Sequence, residues 1–253
     1  MIFTPSALEN RTFLVTGASS GLGRATALLV SQCGGKVIAT GRDEARLRGT
    51  IDDLSGDGHR SVVASLANAD EATALVSMVA GEQGGLHGIF HSAGVELTLP
   101  TRLTKQKHLD DVFGAALYGS YGIARAAGKA NIMHQGASIV LMSSVAASRG
   151  RPGMALYSAA KAGIEGLVKS LACELAVKSV RVNAIAAGGV RTEMHERLTR
   201  NLSESAIEQY EHAHLLGFGS PMDVASVAVF LLSDASAWTT GAVWNVDGGY
   251  SAS

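Results

Sequence analysis

The feature that most constrains this chain is a regular alternation of short apolar strands with longer helical segments, opened by "TFLVTGASSGLG" from Thr12 to Gly23. Strands are expected at Thr12–Thr16, Lys36–Thr40, Ser61–Ser65, Gly88–Ser92, Ser138–Ser143, Val180–Ile185 and Ala242–Val246. Helical periodicity predicts helices over Leu22–Cys33, Asp43–Leu54, Ala69–Ala80, His108–Met133, Tyr157–Val177 and Met222–Leu232. Strands such as "FLVT", "SIVLMS" and "VNAI" are apolar on both faces, as a sheet with helices on each side requires. The expected fold is therefore α/β: a doubly wound parallel sheet of about seven strands with helices on both faces. With four prolines and no linker-like stretch, residues 1–253 read as one domain. Ala187–Ser220, long, polar and rich in His, Glu and Arg, reads as an irregular excursion over the carboxyl ends of the strands, where ligands bind.

Bulk properties narrow the function. A chain of 253 residues with 47% hydrophobic content can bury one sizeable core. Balanced charge, 21 basic against 22 acidic residues, argues against nucleic acid as partner and against a charged tail. Apolar stretches are short and broken, so no membrane span is expected, and Met1–Asn10 lacks the pattern of a secretory signal. Cys33 and Cys173 are expected as buried free thiols of a cytoplasmic protein.

The loop allows two readings. Gly17-Ala18-Ser19-Ser20-Gly21 matches the G-x-S-x-G of a hydrolase nucleophile elbow, in which Ser19 would attack. It also reads as a cradle for a dinucleotide's phosphates. The loop follows the first strand, where dinucleotide folds keep their phosphate turn. Gly17 suits a tight turn, Gly21 lets the backbone approach a pyrophosphate, and Gly23 lets the helix pack on the sheet. The helix from Leu22 then directs free N–H groups at the phosphates, with Ser19 and Ser20 as hydroxyl donors. The absence of Gly-Lys-Ser/Thr excludes an ATPase-type loop. Holding is preferred to attacking.

The T-G-x-x-x-G-x-G spacing of Thr16–Gly23 resembles the short-chain dehydrogenase/reductase family, and the resemblance runs to about Gly249. "YSAAK" places Tyr157 and Lys161 four residues apart, on one helical face. A lysine ammonium there is expected to lower the tyrosine pKa from ~10 toward working pH. Ser144 stands thirteen residues before Tyr157, at the carboxyl end of "SIVLMSS". The resemblance implies a Rossmann-type oxidoreductase moving hydride between a nicotinamide and a carbonyl/alcohol pair, a 3-oxoacyl thioester or similar ketone among its substrates. Tyr157 is then the acid/base, Ser144 positions the substrate oxygen, and Lys161 also holds the nicotinamide ribose. Asn183, Gly188, Val190 and Thr192 in "NAIAAGGVRT" fit further family positions, the last three beside the cofactor, as do Ser92, Ala93 and Gly94. Asp247, in the closing "DGG", is expected to be a packing or assembly residue.

Gly41 stands where relatives that prefer NAD carry an acid, and Arg42 follows it. A guanidinium pairs well with a 2′-phosphate, so NADP is the expected cofactor, with NAD as the alternative. Against this, Arg42 can pair with a nearby acid, and Asp43 can turn toward the ribose.

Several positions depart from the family pattern. Ser92 replaces an asparagine, Ala116 the asparagine of a proton relay, Ser65 an aspartate near the adenine, and Ala187 a proline. These departures keep open a rival reading, a nucleotide-binding protein of the same fold whose catalysis is impaired. His91 reads as a buried, satisfied histidine or as a neighbour of the cofactor. His195, His212 and His214 are expected to be exposed, with His195 or Glu196 as alternative substrate contacts; Met194 and Leu198 read as lid packing. Small residues crowd the helices 108–133 and 157–177, through which relatives pair, so a homotetramer or homodimer is expected.

Overall fold

The computed structural model describes residues 3–200 and 203–252; Met1, Ile2, Asn201, Leu202 and Ser253, all within the expected 1–253 domain, lie outside the described residues. Seven parallel strands form one sheet: β1 (Thr12–Thr16), β2 (Lys36–Gly41), β3 (Arg60–Val63), β4 (Leu86–His91), β5 (Met133–Ser144), β6 (Arg181–Ala187) and β7 (Val243–Val246). Their order is β3-β2-β1-β4-β5-β6-β7. The order reverses between β1 and β4, so the loops after these two strands diverge and leave a crevice at the carboxyl edge. That is the doubly wound Rossmann-type arrangement expected from the alternation.

The helices are α1 (Gly21–Gln32), α2 (Glu44–Asp52), α3 (Ala69–Gln83), α4 (Gln106–Phe113), α5 (Gly119–Ala127), α6 (Ala155–Leu175), α7 (Glu193–Thr199), α8 (Glu204–His212) and α9 (Pro221–Leu232). One apolar layer joins Leu14, Ile89, Ile139 and Val182 to α3, α5 and α6. The other joins Phe13, Val15, Phe90 and Val140 to α1, α2 and α9. Phe13 and Phe90 are fully buried, and each such side chain stabilises the fold by ~1.5–3 kcal/mol. Adjacent strand residues thus face opposite layers, which is why the strands read as continuously apolar.

Four expectations need correction. The helix expected over His108–Met133 is interrupted by a π-helical turn at Gly114–Tyr118 and ends at Ala127; Met133 already opens β5. Asn131, at φ 60, reverses the chain there, a conformation a helix cannot continue through. Ala187–Ser220 is not simply irregular, because it holds α7 and α8, started by the hydroxyls of Thr192 and Ser203 accepting from His195 and Ala206 N–H. Cys33 is buried as expected, but Cys173 is exposed on the outer side of α6. His214 is buried as well, where exposure was expected. No helix of the described residues is long and apolar enough to cross a membrane.

Candidate active site

The loop after β1 is built by steric necessity at two glycines. Gly17 sits at φ +65, in the left-handed region, and turns the chain back beneath α1. A Cβ on Gly23 would stand 2.2 Å from the Gly17 carbonyl oxygen and 2.8 Å from Ser92 Oγ. Gly23 therefore seals the loop against itself and against Ser92, just after β4, a tighter constraint than packing on the sheet. Ser20 occupies the N-cap of α1 without a side-chain capping bond, so its hydroxyl is uncommitted beside the helix N-terminus.

Thr16 and His91 tie this loop to the carboxyl end of β4. His91 Nε2 lies 2.9 Å from the Ala115 carbonyl, which can only accept, so Nε2 carries the proton. Nδ1 of the neutral ring then accepts from the Thr16 hydroxyl at 2.8 Å. Thr16 Oγ1 in turn accepts from the N–H groups of Ser92 and Ala93, each at 3.2 Å. Ser92 Oγ donates to Thr16 O at 2.9 Å. His91 is thus the buried, satisfied histidine of the two readings, and it does not line the cavity. Its Nε2–H also ties β4 to the π turn, whose Ala115 carbonyl accepts the bond.

Burial, and then the Lys161 charge, depress His91 from the ordinary 6.5 to about 4. Its folded pKa lies below its unfolded one, so the unfolded chain takes the proton first as pH falls. Its contribution to stability is therefore complete above about 6.5 and lost on acidification toward about 4. The expected loss attributable to His91 is ~3 kcal/mol. Urea denaturation from pH 7 to pH 4 should show that decline, and His91→Asn should flatten it; an equal slope in the variant would refute the assignment.

One cavity of about 1090 Å³ lies along the crevice, and the glycine loop, Arg42, the positions named for the cofactor at 92–94 and 188–192, and Ser144, Tyr157 and Lys161 all line it. Gly17, Ser19, Ser20, Gly21, Leu22 and Gly23 form one end, with Arg42 beside them; Ser92, Ala93, Gly94 and Gly188, Val190, Thr192 form the middle. Ser144, Tyr157 and Lys161 stand together at the far end. Ser144 shares a hydrogen bond with Tyr157, whereas Ser143 is occupied by Glu165 Oε1 at 2.8 Å. Lys161 is buried and donates to the Met142 carbonyl at 2.7 Å, with Nζ 5.5 Å from the Tyr157 ring centre. The missing asparagine leaves Ala116 buried, its carbonyl accepting from Ser120 Oγ at 2.6 Å, and Ala116 itself does not line the cavity.

The electrostatics reverse one expectation. Burial, reinforced by the Glu96 charge, pushes the Tyr157 phenol above its ordinary range, although the Ser144 hydrogen bond pulls the other way. Burial likewise brings Lys161 down to about 8. Desolvation thus dominates at the phenol, and Tyr157 keeps its proton at neutral pH.

At the other end, Asp43 accepts from Arg46 N–H at 3.0 Å as the N-cap of α2, so it faces its own helix. Arg46 forms an ion pair with Glu193 of α7. Arg42 has no ion-pair partner among the described residues, which leaves its guanidinium to a ligand. These features fit a dinucleotide: an uncapped helix start, a glycine loop that admits no Cβ at Gly23, and an unpaired cation beyond it.

Other cavity residues gave no sequence signal, namely Glu96, Arg149, Arg151, Tyr210 and Tyr250. His195 lines the cavity and meets the Phe218 ring edge-on at 4.5 Å, while Glu196 does not reach it. Met194 and Leu198 line it too. His214 accepts from Gly189 N–H at 2.9 Å and donates to the Tyr210 carbonyl at 2.9 Å, pinning α8 to the loop after β6. That double role explains its burial. Asn183 is fully buried within β6 and staples it to Thr239 and Ala242 at 2.9 and 3.1 Å. Asp247 closes the terminal turn by accepting from Gly249 and Ser251 N–H. Among the described residues no set of three or more His, Cys, Asp or Glu side chains converges as metal ligands would.

The fold and cavity define a dinucleotide-binding α/β protein with a Ser-Tyr-Lys cluster at one end of its cleft. A family model described as "Enoyl-(Acyl carrier protein) reductase" matches residues 17–251. The 3-oxoacyl-[acyl-carrier-protein] reductase FabG of Thermotoga maritima is 34% identical over 244 residues, covering 96% of this chain and 98% of that one. The 3-oxoacyl-[acyl-carrier-protein] reductase of Synechocystis sp. is 36% identical over 251 residues, with 96% and 98% covered. Among solved structures, levodione reductase superposes with a TM-score of 0.86 at 28% identity, covering 97% of this chain and 99% of that chain. A short chain dehydrogenase/reductase family protein gives 0.82 at 28%, with 98% and 100% covered. The chain belongs to the short-chain dehydrogenase/reductase family. It is an oxidoreductase acting on a CH–OH/C=O pair, and its family implies a nicotinamide cofactor.

Proposed function

We propose that this protein is an NADP-preferring reductase or dehydrogenase in which Tyr157 is the acid/base, Ser144 positions the substrate oxygen and Lys161 holds the nicotinamide ribose. The observation that carries this reading is the convergence of Ser144, Tyr157 and Lys161 on the same cavity as the glycine loop. When bound, the nicotinamide supplies or accepts the hydride. Tyr157 gives its proton to the substrate oxygen as the carbonyl carbon becomes an alcohol carbon, and takes it back in the reverse direction. Ser144, already bonded to Tyr157, donates to the same oxygen and stabilises its developing charge. Lys161, buried with its ammonium 5.5 Å from the phenol ring centre, can hand a proton back to the phenolate once Tyr157 has given up its own. The relatives named as 3-oxoacyl reductases make 3-oxoacyl thioesters and similar ketones the first substrate class to test. The retained triad counts against the rival reading of an impaired binding protein.

Gly17, Ser19, Ser20, Gly21, Leu22 and Gly23 cradle the pyrophosphate, while Ser92, Ala93 and Gly94, with Gly188, Val190 and Thr192, face the rest of the cofactor. Arg42 reads the 2′-phosphate. Arg42→Ala is expected to weaken NADPH binding roughly 10- to 100-fold, as loss of a charge-assisted bond does, and NADH binding far less. Fluorescence titration with both nucleotides checks this. An equal loss for both would assign Arg42 to the fold, and no loss would remove it from the site. Residues 187–220, with α7 and α8 over the cleft, serve as the substrate lid of a single domain.

The outer face of α6 exposes Ala155, Ala159, Ala162 and Gly166, beside exposed Tyr118 and Tyr121. Such a flat face supports assembly into a homodimer or homotetramer through helices 108–133 and 157–177. The two free cysteines suit a reducing, cytoplasmic location.

A further inference from the structure

Glu96 is a carboxylate in the substrate end of the cavity that the mechanism above does not use. It lies in the loop after β4 and lines the cavity with Ser144, Tyr157, Lys161, Arg151 and Tyr210. Its backbone neighbourhood is well anchored. Leu97 packs with Met154 and Phe113, Thr98 Oγ1 donates to Met154 Sδ at 3.2 Å, and Leu99 N–H donates to the Gly153 carbonyl at 2.8 Å. The carboxylate itself has no partner. It joins none of the ion pairs or hydrogen bonds found among the described residues, and Arg151, whose charge acts on it, lies over the Tyr210 ring at 4.2 Å.

A half-buried carboxylate without a donor is costly, and so well anchored a loop does not let it swing into solvent. Burial raises Glu96 to about 7, with Lys161 and Arg151 resisting the rise. No side chain supplies it with a donor, which leaves the carboxyl open to one carried by a ligand in the cavity. Two donor types fit a carboxylate, an ammonium and a hydroxyl. The Lys161 and Arg151 charges that act on Glu96 repel a cation at this end of the cavity, so the hydroxyl is preferred. Glu96 lines the same cavity as Ser144, Tyr157 and Lys161, which lets one ligand meet all four, its hydroxyl on Glu96 and its reacting carbonyl on Ser144 and Tyr157.

We propose that Glu96 is a specificity-determining residue that accepts a hydrogen bond from a hydroxyl adjacent to the substrate's reacting carbonyl, selecting hydroxy ketones, or vicinal diols in the reverse direction. This inference rests on the oxidoreductase reading and narrows its substrate class away from unsubstituted acyl chains.

The test compares 2-hydroxycyclohexanone with cyclohexanone, following NADPH oxidation by the wild type, Glu96→Gln and Glu96→Leu. The wild type is expected to favour the hydroxy ketone in kcat/KM. Glu96→Leu should reduce that preference roughly 10- to 100-fold, mainly through KM, as loss of a hydrogen bond to a charged group does. Glu96→Gln keeps an acceptor and should retain part of it, a rescue that a purely structural role would not produce. A wild type that turns over both ketones equally, or a preference unchanged in both variants, overturns the proposal while leaving the oxidoreductase reading intact. A wild type that binds NADPH and reduces neither these ketones nor a 3-oxoacyl thioester overturns both.

Discussion

Tyr157→Phe is expected to lower kcat for carbonyl reduction roughly 100- to 10,000-fold, the usual contribution of a positioned acid, while NADPH affinity stays within a few-fold. The phenol is buried, hydrogen-bonded to Ser144 and raised above its ordinary range by burial and by Glu96. It therefore holds the proton that reduction consumes, and removing one oxygen removes that proton without disturbing the glycine loop at the other end of the cavity. The same argument sets the pH dependence of the wild type. Reduction needs the protonated phenol and declines only at alkaline pH, whereas alcohol oxidation needs the phenolate and rises with pH. Steady-state rates in both directions, with a nucleotide titration of the variant, check this. A Phe variant that keeps near-normal kcat would mean that another group lining the cavity, such as Glu96, delivers the proton.

Gly23→Ala carries the second large effect. The added methyl would stand 2.2 Å from the Gly17 carbonyl oxygen, and neither partner can yield. Gly17 is committed to a left-handed turn, and the Thr16 carbonyl just before it is bonded to Ser92. The expected cost is ~3 kcal/mol or more of stability, at the upper end for overpacking, together with loss of NADPH binding. Gly21→Ala is the control. Its Cβ would meet only Thr192, at 3.5 Å, so the substitution bears only the left-handed backbone cost of ~1–2 kcal/mol. Urea denaturation of the two variants should rank them in that order; equal losses would mean that backbone conformation, not the clash, governs the loop.

How legible the site was depends on how local each feature is. The glycine spacing of Thr16–Gly23 and the Tyr157–Lys161 pair were readable because a tight turn and a helical repeat are set by neighbouring residues. The break in the expected 108–133 helix was harder, since the interruption involves the Ala115 carbonyl and the His91 ring, residues on different elements. His214 read as exposed for the same reason. It sits in a polar run, yet its two ring nitrogens are used by Gly189 and Tyr210 from different segments. Glu96 offered no pattern at all, because its distinction is the absence of a partner.

From residue order alone came the strand-helix alternation, the parallel sheet with two covered faces, the phosphate-type loop and the Ser144, Tyr157, Lys161 set. The first three follow from periodicity and spacing, which a chain carries before it folds; the set of three came from the family resemblance that those motifs carry. Only the tertiary structure decided that His91 bonds to the π turn, that Arg42 is left without an ion pair while Arg46 is not, and that Tyr157 keeps its proton. Those outcomes depend on desolvation and on contacts between residues distant in sequence. Burial is a property of the packed whole, so no spacing rule could have shown that it would raise the tyrosine.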